Sequence, residues 1–167
     1  MTKLEAGVLE PTLAMIDLGE IVGTVLERTR KVVANHRVAV DLAADLPMLR
    51  VDFVLFEQVL FNLLDNAAKY APPGTTITVR GQCRGDQVAI EVLDEGGGIA
   101  AEHLAHIFEK FYRIRRADRQ RAGTGLGLAI CRGFVEAMGG TVEAANRSDR
   151  SGAVFTIMLP VSADSLS

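Results

Sequence analysis

The chain has 167 residues, 49% of them apolar, no tryptophan, and a formal net charge of −3. That is one domain with room for a real core, and the charge removes any global electrostatic case for nucleic acid or an anionic membrane. Cys83 and Cys131 lie far apart in apolar segments, without metal-ligand or disulfide-framework spacing, and read as reduced core residues of a cytosolic protein.

Residues 1–16, with Gly7 and Pro11, show no sustained period and read as a linker remnant. Asp17 resembles an N-cap, with Glu20 at capping-box spacing. Leu18, Ile21, Val22, Val25, Leu26, Val32 and Val33 then predict an amphipathic helix over 18–34. Val38 to Leu42 alternates as a strand, Leu46-Pro47 breaks it, and Leu49 to Val51 fits a second short strand. Asp52 is placed to cap a helix that must end near Ala71, because Pro72-Pro73-Gly74 cannot continue it. Segments 75–80 and 87–94 alternate across Arg84-Gly85-Asp86 and predict a hairpin. Residues 100–122 are polar and poorly periodic around an apolar island at Ile107-Phe108 and Phe111-Tyr112. Such a long irregular stretch is usually functional or mobile. Gly123 opens a further helix, with Ile130, Phe134 and Met138 on its buried side and Gly139-Gly140 at its end. Segments 141–145 and 153–159 predict a last strand pair, and the remaining residues, 161–167, read as a disordered tail. No run is long enough to cross a bilayer, and the N-terminus lacks a signal pattern. Any membrane link is expected only through other parts of a longer protein.

The helix after Asp52 is the informative one. Asn62, Asn66, Lys69 and Tyr70 fall at i, i+4, i+7 and i+8 and share one side. Phe56, Leu60, Leu63, Leu64 and Ala67 form the adjoining apolar arc. Asparagine is a mediocre helix former, so two of them one turn apart mark either a satisfied polar edge of the core or a pocket wall. Gly96-Gly97-Gly98 is either a plain turn or a place where a ligand lies against the main chain. The carboxylate of Asp94 beside it could accept from an exocyclic amine such as that of adenine. Gly123-x-Gly125-x-Gly127 at a helix start suits a phosphate, through unpaired N–H groups and the positive dipole end. It fits neither a Walker loop nor the dinucleotide fingerprint. Lys69 is either a phosphate counter-charge or a solvated helix terminus. The amide oxygen of Asn66, with triphosphate oxygens, is a plausible shell for Mg²⁺. Arg113, Arg115, Arg116, Arg119 and Arg121 read as solvated, or as screening triphosphate charge or contacting an acidic partner. His36, His103 and His106 form no ligand cluster and default to the surface.

In this order, these segments resemble the ATP-binding domain of bacterial sensor histidine kinases, part of an ATPase superfamily shared with DNA gyrase B, Hsp90 and MutL. The likeness runs over residues 17–160. Asn62-x3-Asn66-x2-Lys69-Tyr70 resembles the N box, and Asp94-x-Gly96-x-Gly98-Ile99 the first glycine box. Phe108-Glu-Lys-Phe111-Tyr112-Arg113 resembles the F box. Gly123-Thr124-Gly125-Leu126-Gly127-Leu128 resembles the second glycine box. The resemblance implies an α/β two-layer sandwich of the Bergerat type, a mixed β-sheet with three main helices on one face and a flexible ATP lid near residues 100–122. It implies that ATP and Mg²⁺ bind through these motif residues. Asp94 would take the adenine amino group and Tyr70 would pack near the base. Asn66 would hold Mg²⁺, while Asn62 and Lys69 would face the phosphates. The backbone at Gly123, Gly125 and Gly127 would grip them.

Gly97 stands where the family often has proline. Asn62 stands where gyrase-like relatives carry the water-activating glutamate, which implies phosphoryl transfer rather than hydrolysis. The family's phospho-acceptor string, His-Glu-x3-Pro, is absent. The implied partners are therefore the protein's own dimerisation and phospho-acceptor histidine domain and a response regulator, with no nucleic acid. The implied setting is a cytoplasmic domain of an inner-membrane sensor kinase. Leu46-Pro47-x3-Val51-Asp52-x3-Phe56-Glu-Gln-Val-Leu, Gly127-Leu-Ala-Ile-Cys131-Arg132 and Asn146-Arg147 further resemble the Kdp-type potassium sensor kinases. The alternatives are a regulatory nucleotide- or partner-binding module without kinase activity, an ATPase clamp, and an anti-sigma serine kinase of the same fold.

Overall fold

The computed structural model describes residues 10–110 and 127–161. Period-two alternation decides its main layer. In β4 (Thr76–Arg84) and β5 (Gln87–Leu93), Ile77, Val79, Ile90 and Val92 point to one side and are buried. Phe155, Ile157 and Leu159 of β7 (Ala153–Pro160) join them. With β2 (Arg37–Leu42) and β6 (Thr141–Asn146), these strands form a five-stranded sheet in the order β2-β4-β5-β7-β6. Only the β2–β4 pair is parallel, so the sheet is mixed. Its outer face carries ions instead. Arg80 lies 3.5 Å from Asp41 and 3.6 Å from Glu91, and Arg84 lies 3.1 Å from Glu91.

Three helices supply the second layer. Helix α1 (Leu18–Arg28) starts at Asp17, whose Oδ2 accepts from the Glu20 N–H at 3.2 Å. It stops well short of the expected residue 34. The Thr29 hydroxyl donates to the Val25 carbonyl at 2.9 Å, satisfying an end group of the last turn. The chain then proceeds by turns, from which Val33 still reaches the core. Strand β3 (Leu49–Val51) pairs antiparallel with a short strand, β1 (Ala14–Ile16), inside the stretch expected to lack structure.

Helix α2 (Phe53–Tyr70) is capped by Asp52, whose Oδ1 accepts from the Leu55 N–H at 3.1 Å. Its Oδ2 accepts from the Thr12 N–H at 2.8 Å. Phe56, Val59, Leu60, Leu63, Leu64 and Ala67 form its buried ridge, and Ala71 closes it. A single turn, α3 (Ala101–Leu104), occupies part of the expected lid, and residues 111–122 of that lid lie outside the described part.

Helix α4 (Gly127–Ala137) buries Cys131 and Val135, with Met138 just beyond its end. Ile130 and Phe134, expected on the buried side, are only half-buried. Cys83 also departs from expectation. It sits beside the turn of the β4–β5 hairpin, paired with Val88, and is exposed, whereas Cys131 is buried. Among the described residues no helix is long and apolar enough to cross a membrane.

Candidate functional site

The polar side of α2 borders the start of α4 at one point and the loop after β5 at another. Asn62 makes the first link. Its Nδ2 donates to the Gly127 carbonyl at 3.2 Å, and its Oδ1 accepts from Gln58 Nε2 at 2.9 Å. Both ends of the amide are thus engaged within the protein, on the seam between α2 and α4. One turn on, Asn66 is half-buried and makes no side-chain hydrogen bond among the described residues. Lys69 is paired with Asp65 at 3.0 Å, in the last turn of α2, where a cation is favoured. Beneath the seam, the Cys131 thiol donates to the Val59 carbonyl at 3.6 Å, and burial pushes it up to about 12.

Gly96 makes the second link. A Cβ built there would lie 2.7 Å from the Tyr70 carbonyl oxygen, so only glycine lets this loop reach the end of α2. Asp94 sits beside it, 4% exposed. Its Oδ1 accepts from the N–H of Gly96 at 2.9 Å and of Ala153 at 3.2 Å. Its Oδ2 makes no hydrogen bond among the described residues. One oxygen therefore fixes the carboxylate while the other remains available as an acceptor. Glu95 turns the other way. Its carboxylate accepts from the Thr76 N–H at 3.2 Å and lies 2.8 Å from Arg150. The Thr76 bond first, then Arg150, holds its carboxyl below the usual value of 4.5.

Gly98 adopts φ +80° and Ile99 follows it, both half-buried. Phe108 packs edge-on against Phe155, with centroids 6.1 Å apart, and so anchors its segment on the sheet. Gly127 opens α4, exposed, and Leu128 packs at the core margin. Gly123, Thr124, Gly125 and Leu126 lie outside the described residues, as do Phe111, Tyr112 and Arg113, Arg115, Arg116, Arg119 and Arg121.

Two features escaped the sequence reading. His36 is not a plain surface residue: it is half-buried, with Nε2 3.0 Å from the Ala71 carbonyl at the end of α2. The corner between β6 and β7 also grips the Asp94 loop, through Asn146, Arg147 and Ser151. The one available signal was an Asn-Arg pair ahead of Ser151-Gly152, more polar than a bare hairpin requires.

This sheet-and-helix layering, with an Asn-bearing helix meeting an Asp-Gly loop, defines a nucleotide-binding class. The family model for histidine kinase-, DNA gyrase B-, and HSP90-like ATPases matches residues 51–163, and the chain belongs to that family. It is 38% identical over 161 residues to the Sensor protein KdpD of Clostridium acetobutylicum, covering 96% of this chain and 18% of that protein. The chain therefore spans about a fifth of the length of that relative. Among solved structures it resembles full-length ShkA in complex with AMPPNP (TM-score 0.80, 29% identity, 95% of this chain and 33% of that one). It also resembles the mycobacterial sensor histidine kinase MprB (TM-score 0.77, 28% identity, 89% and 97%).

Proposed function

We propose that this chain binds Mg-ATP and donates the γ-phosphoryl group to a histidine on an adjoining dimerisation and phospho-acceptor domain, for relay to a response regulator. The observation that carries the reading is the Asp94 carboxylate, buried and pinned through Oδ1, with Oδ2 left to accept the adenine amino group. Tyr70, Gly96, Gly98 and Ile99 then border the base. Asn62 and Lys69 serve the phosphates, with Gly127 and Leu128 at the start of α4. For the phosphates to engage Asn62 and Lys69, they must compete with the Gly127 carbonyl and Asp65 that hold these side chains here.

The half-buried, unengaged amide of Asn66 fits a hard cation that keeps most of its shell as water and phosphate oxygen. When bound, Mg²⁺ would supply charge neutralisation on the triphosphate. Chain residues would do the rest by holding the nucleotide in place, since phosphoryl transfer depends mainly on positioning and electrostatics. Asn62 at the position of the gyrase-type glutamate favours transfer over hydrolysis. The kinship with the Sensor protein KdpD of Clostridium supports a Kdp-type sensor, and the resemblance of the sequence motifs extends the proposal to potassium-responsive signalling by a cytoplasmic domain of an inner-membrane kinase.

The test mixes the chain with a separately produced phospho-acceptor hairpin of a related kinase and γ-labelled ATP. Label on the hairpin histidine is expected. Release of labelled phosphate with no labelled histidine would favour an ATPase clamp and defeat the kinase reading.

A further inference from the structure

The loop that carries Asp94 does not hold its own shape. The corner joining β6 to β7 satisfies the Asp94 and Gly96 carbonyls and both main-chain groups of Ile99. The Asn146 side chain acts as a two-way amide. Its Oδ1 accepts from the Ile99 N–H at 2.6 Å, and its Nδ2 donates to the Ile99 carbonyl at 2.8 Å. That is the pairing a neighbouring strand would supply, delivered by one side chain. Gly98 makes room for it, since a Cβ there would lie 2.7 Å from Asn146 Oδ1. The Ser151 hydroxyl donates to the Gly96 carbonyl at 2.7 Å. Arg147 donates from Nη1 to the Asp94 carbonyl at 3.1 Å, and its side chain is only 7% exposed. At Gly152, with φ +141°, a Cβ would collide with that same carbonyl.

We infer that Asn146 and Ser151 are positioning residues for adenine recognition: the β6–β7 corner is the template that aims the free oxygen of Asp94. The inference rests on the adenine reading of Asp94 given above. A carboxylate accepting one hydrogen bond discriminates only if its direction is fixed, because hydrogen bonds weaken steeply with misalignment. Two main-chain N–H groups hold Oδ1, and one of them, Gly96, belongs to the loop itself. With Asn146 gone Ile99 loses both its bonds to the corner, and with Ser151 gone the Gly96 carbonyl loses its donor; either loosens the segment whose Gly96 N–H helps to pin Oδ1. The fold would persist, since the sheet pairing of β5 with β7 is independent of these side chains.

The experiment titrates the chain with Mg-ATP and with Mg-ITP, which carries a carbonyl oxygen where ATP carries the amino group. The wild type is expected to prefer ATP. Asn146→Ala should weaken ATP about tenfold and leave ITP little changed, so the preference shrinks. Ser151→Ala should act the same way more weakly, and Ser151→Thr, which keeps the hydroxyl, should restore the preference. If Asn146→Ala does not fold, the Ser151 pair alone decides. Equal weakening of both nucleotides, or an unchanged preference, in variants of a discriminating wild type would overturn the template role alone. A wild type that binds both nucleotides equally would overturn the adenine reading, and this inference with it.

Discussion

Asp94→Asn separates recognition from folding in a way that Asp94→Ala does not. The alanine variant would orphan two buried N–H groups, those of Gly96 and Ala153. Each unsatisfied buried donor costs about 1–3 kcal/mol, so the pair costs roughly 2–6 kcal/mol. A domain whose whole stability is on the order of 5–15 kcal/mol would lose much of it, and weak binding would then mean little. Asparagine keeps an Oδ1 acceptor for both N–H groups and puts an NH₂ where Oδ2 stood. That NH₂ faces the adenine amino group donor to donor. Losing a hydrogen bond to a charged group, worth about 1.5–3 kcal/mol, raises the ATP Kd roughly 10- to 150-fold. The same NH₂ suits the carbonyl of inosine, so Asp94→Asn should prefer ITP to ATP. Calorimetric titration with both nucleotides, beside urea unfolding to establish a native-like midpoint, reads both effects. A folded Asp94→Asn protein that binds ATP as tightly as wild type would refute the assignment.

Asn66→Ala should weaken Mg-ATP binding, and its residual affinity should be nearly unchanged by EDTA, whereas chelation should weaken binding by the wild type. Gly96→Ala should lower stability by about 1–3 kcal/mol in urea unfolding, because its Cβ would press on the Tyr70 carbonyl at 2.7 Å. The Glu95 carboxyl is held below its usual 4.5, so its contribution is complete above that pH and is lost as pH falls through the lowered value. In unfolding midpoints measured from pH 6 downward, Glu95→Gln should therefore flatten the acid decline. Thiol titration of the native chain at pH 8 should count one fast group, Cys83; Cys131, buried with its thiol pushed up to about 12, should react only after unfolding.

Strands β4 and β5 were legible because apolar residues recur at every second position, and Ile77, Val79, Ile90 and Val92 are all buried; in β2 the same alternation made a strand but left Val40 exposed. The helices were legible in kind but not in detail. Val32 and Val33 extended the apolar period of α1 beyond its true end, because a turn can deliver Val33 to the core as well as a helix can. On α4, Met138 is buried as its spacing predicts, but Cys131 and Val135 take the buried places expected of Ile130 and Phe134. Leu128, Ile130, Cys131, Phe134 and Val135 are all apolar, and only packing against α2 singles out Cys131 and Val135. Strand β1 had no local signal at all, since three residues become a strand only by pairing with β3, 35 positions away.

The candidate site divides along the same line. Asn62, Asn66 and Lys69 are spaced by helical geometry within one segment, so their shared side follows from the sequence. What joins that side to Asp94 is not spacing but contact between backbones, as where Gly96 meets the Tyr70 carbonyl. The support of the loop is more distant still, with Asn146 reaching Ile99 across 47 positions and Ser151 reaching Gly96 across 55. A side chain bonding to main chain can do so from several residue types and leaves no periodic trace. The sequence therefore shows which groups would meet a ligand, while the fold decides how firmly they are aimed. On the reading proposed above, the aiming is done by a corner whose own residues need never touch the base.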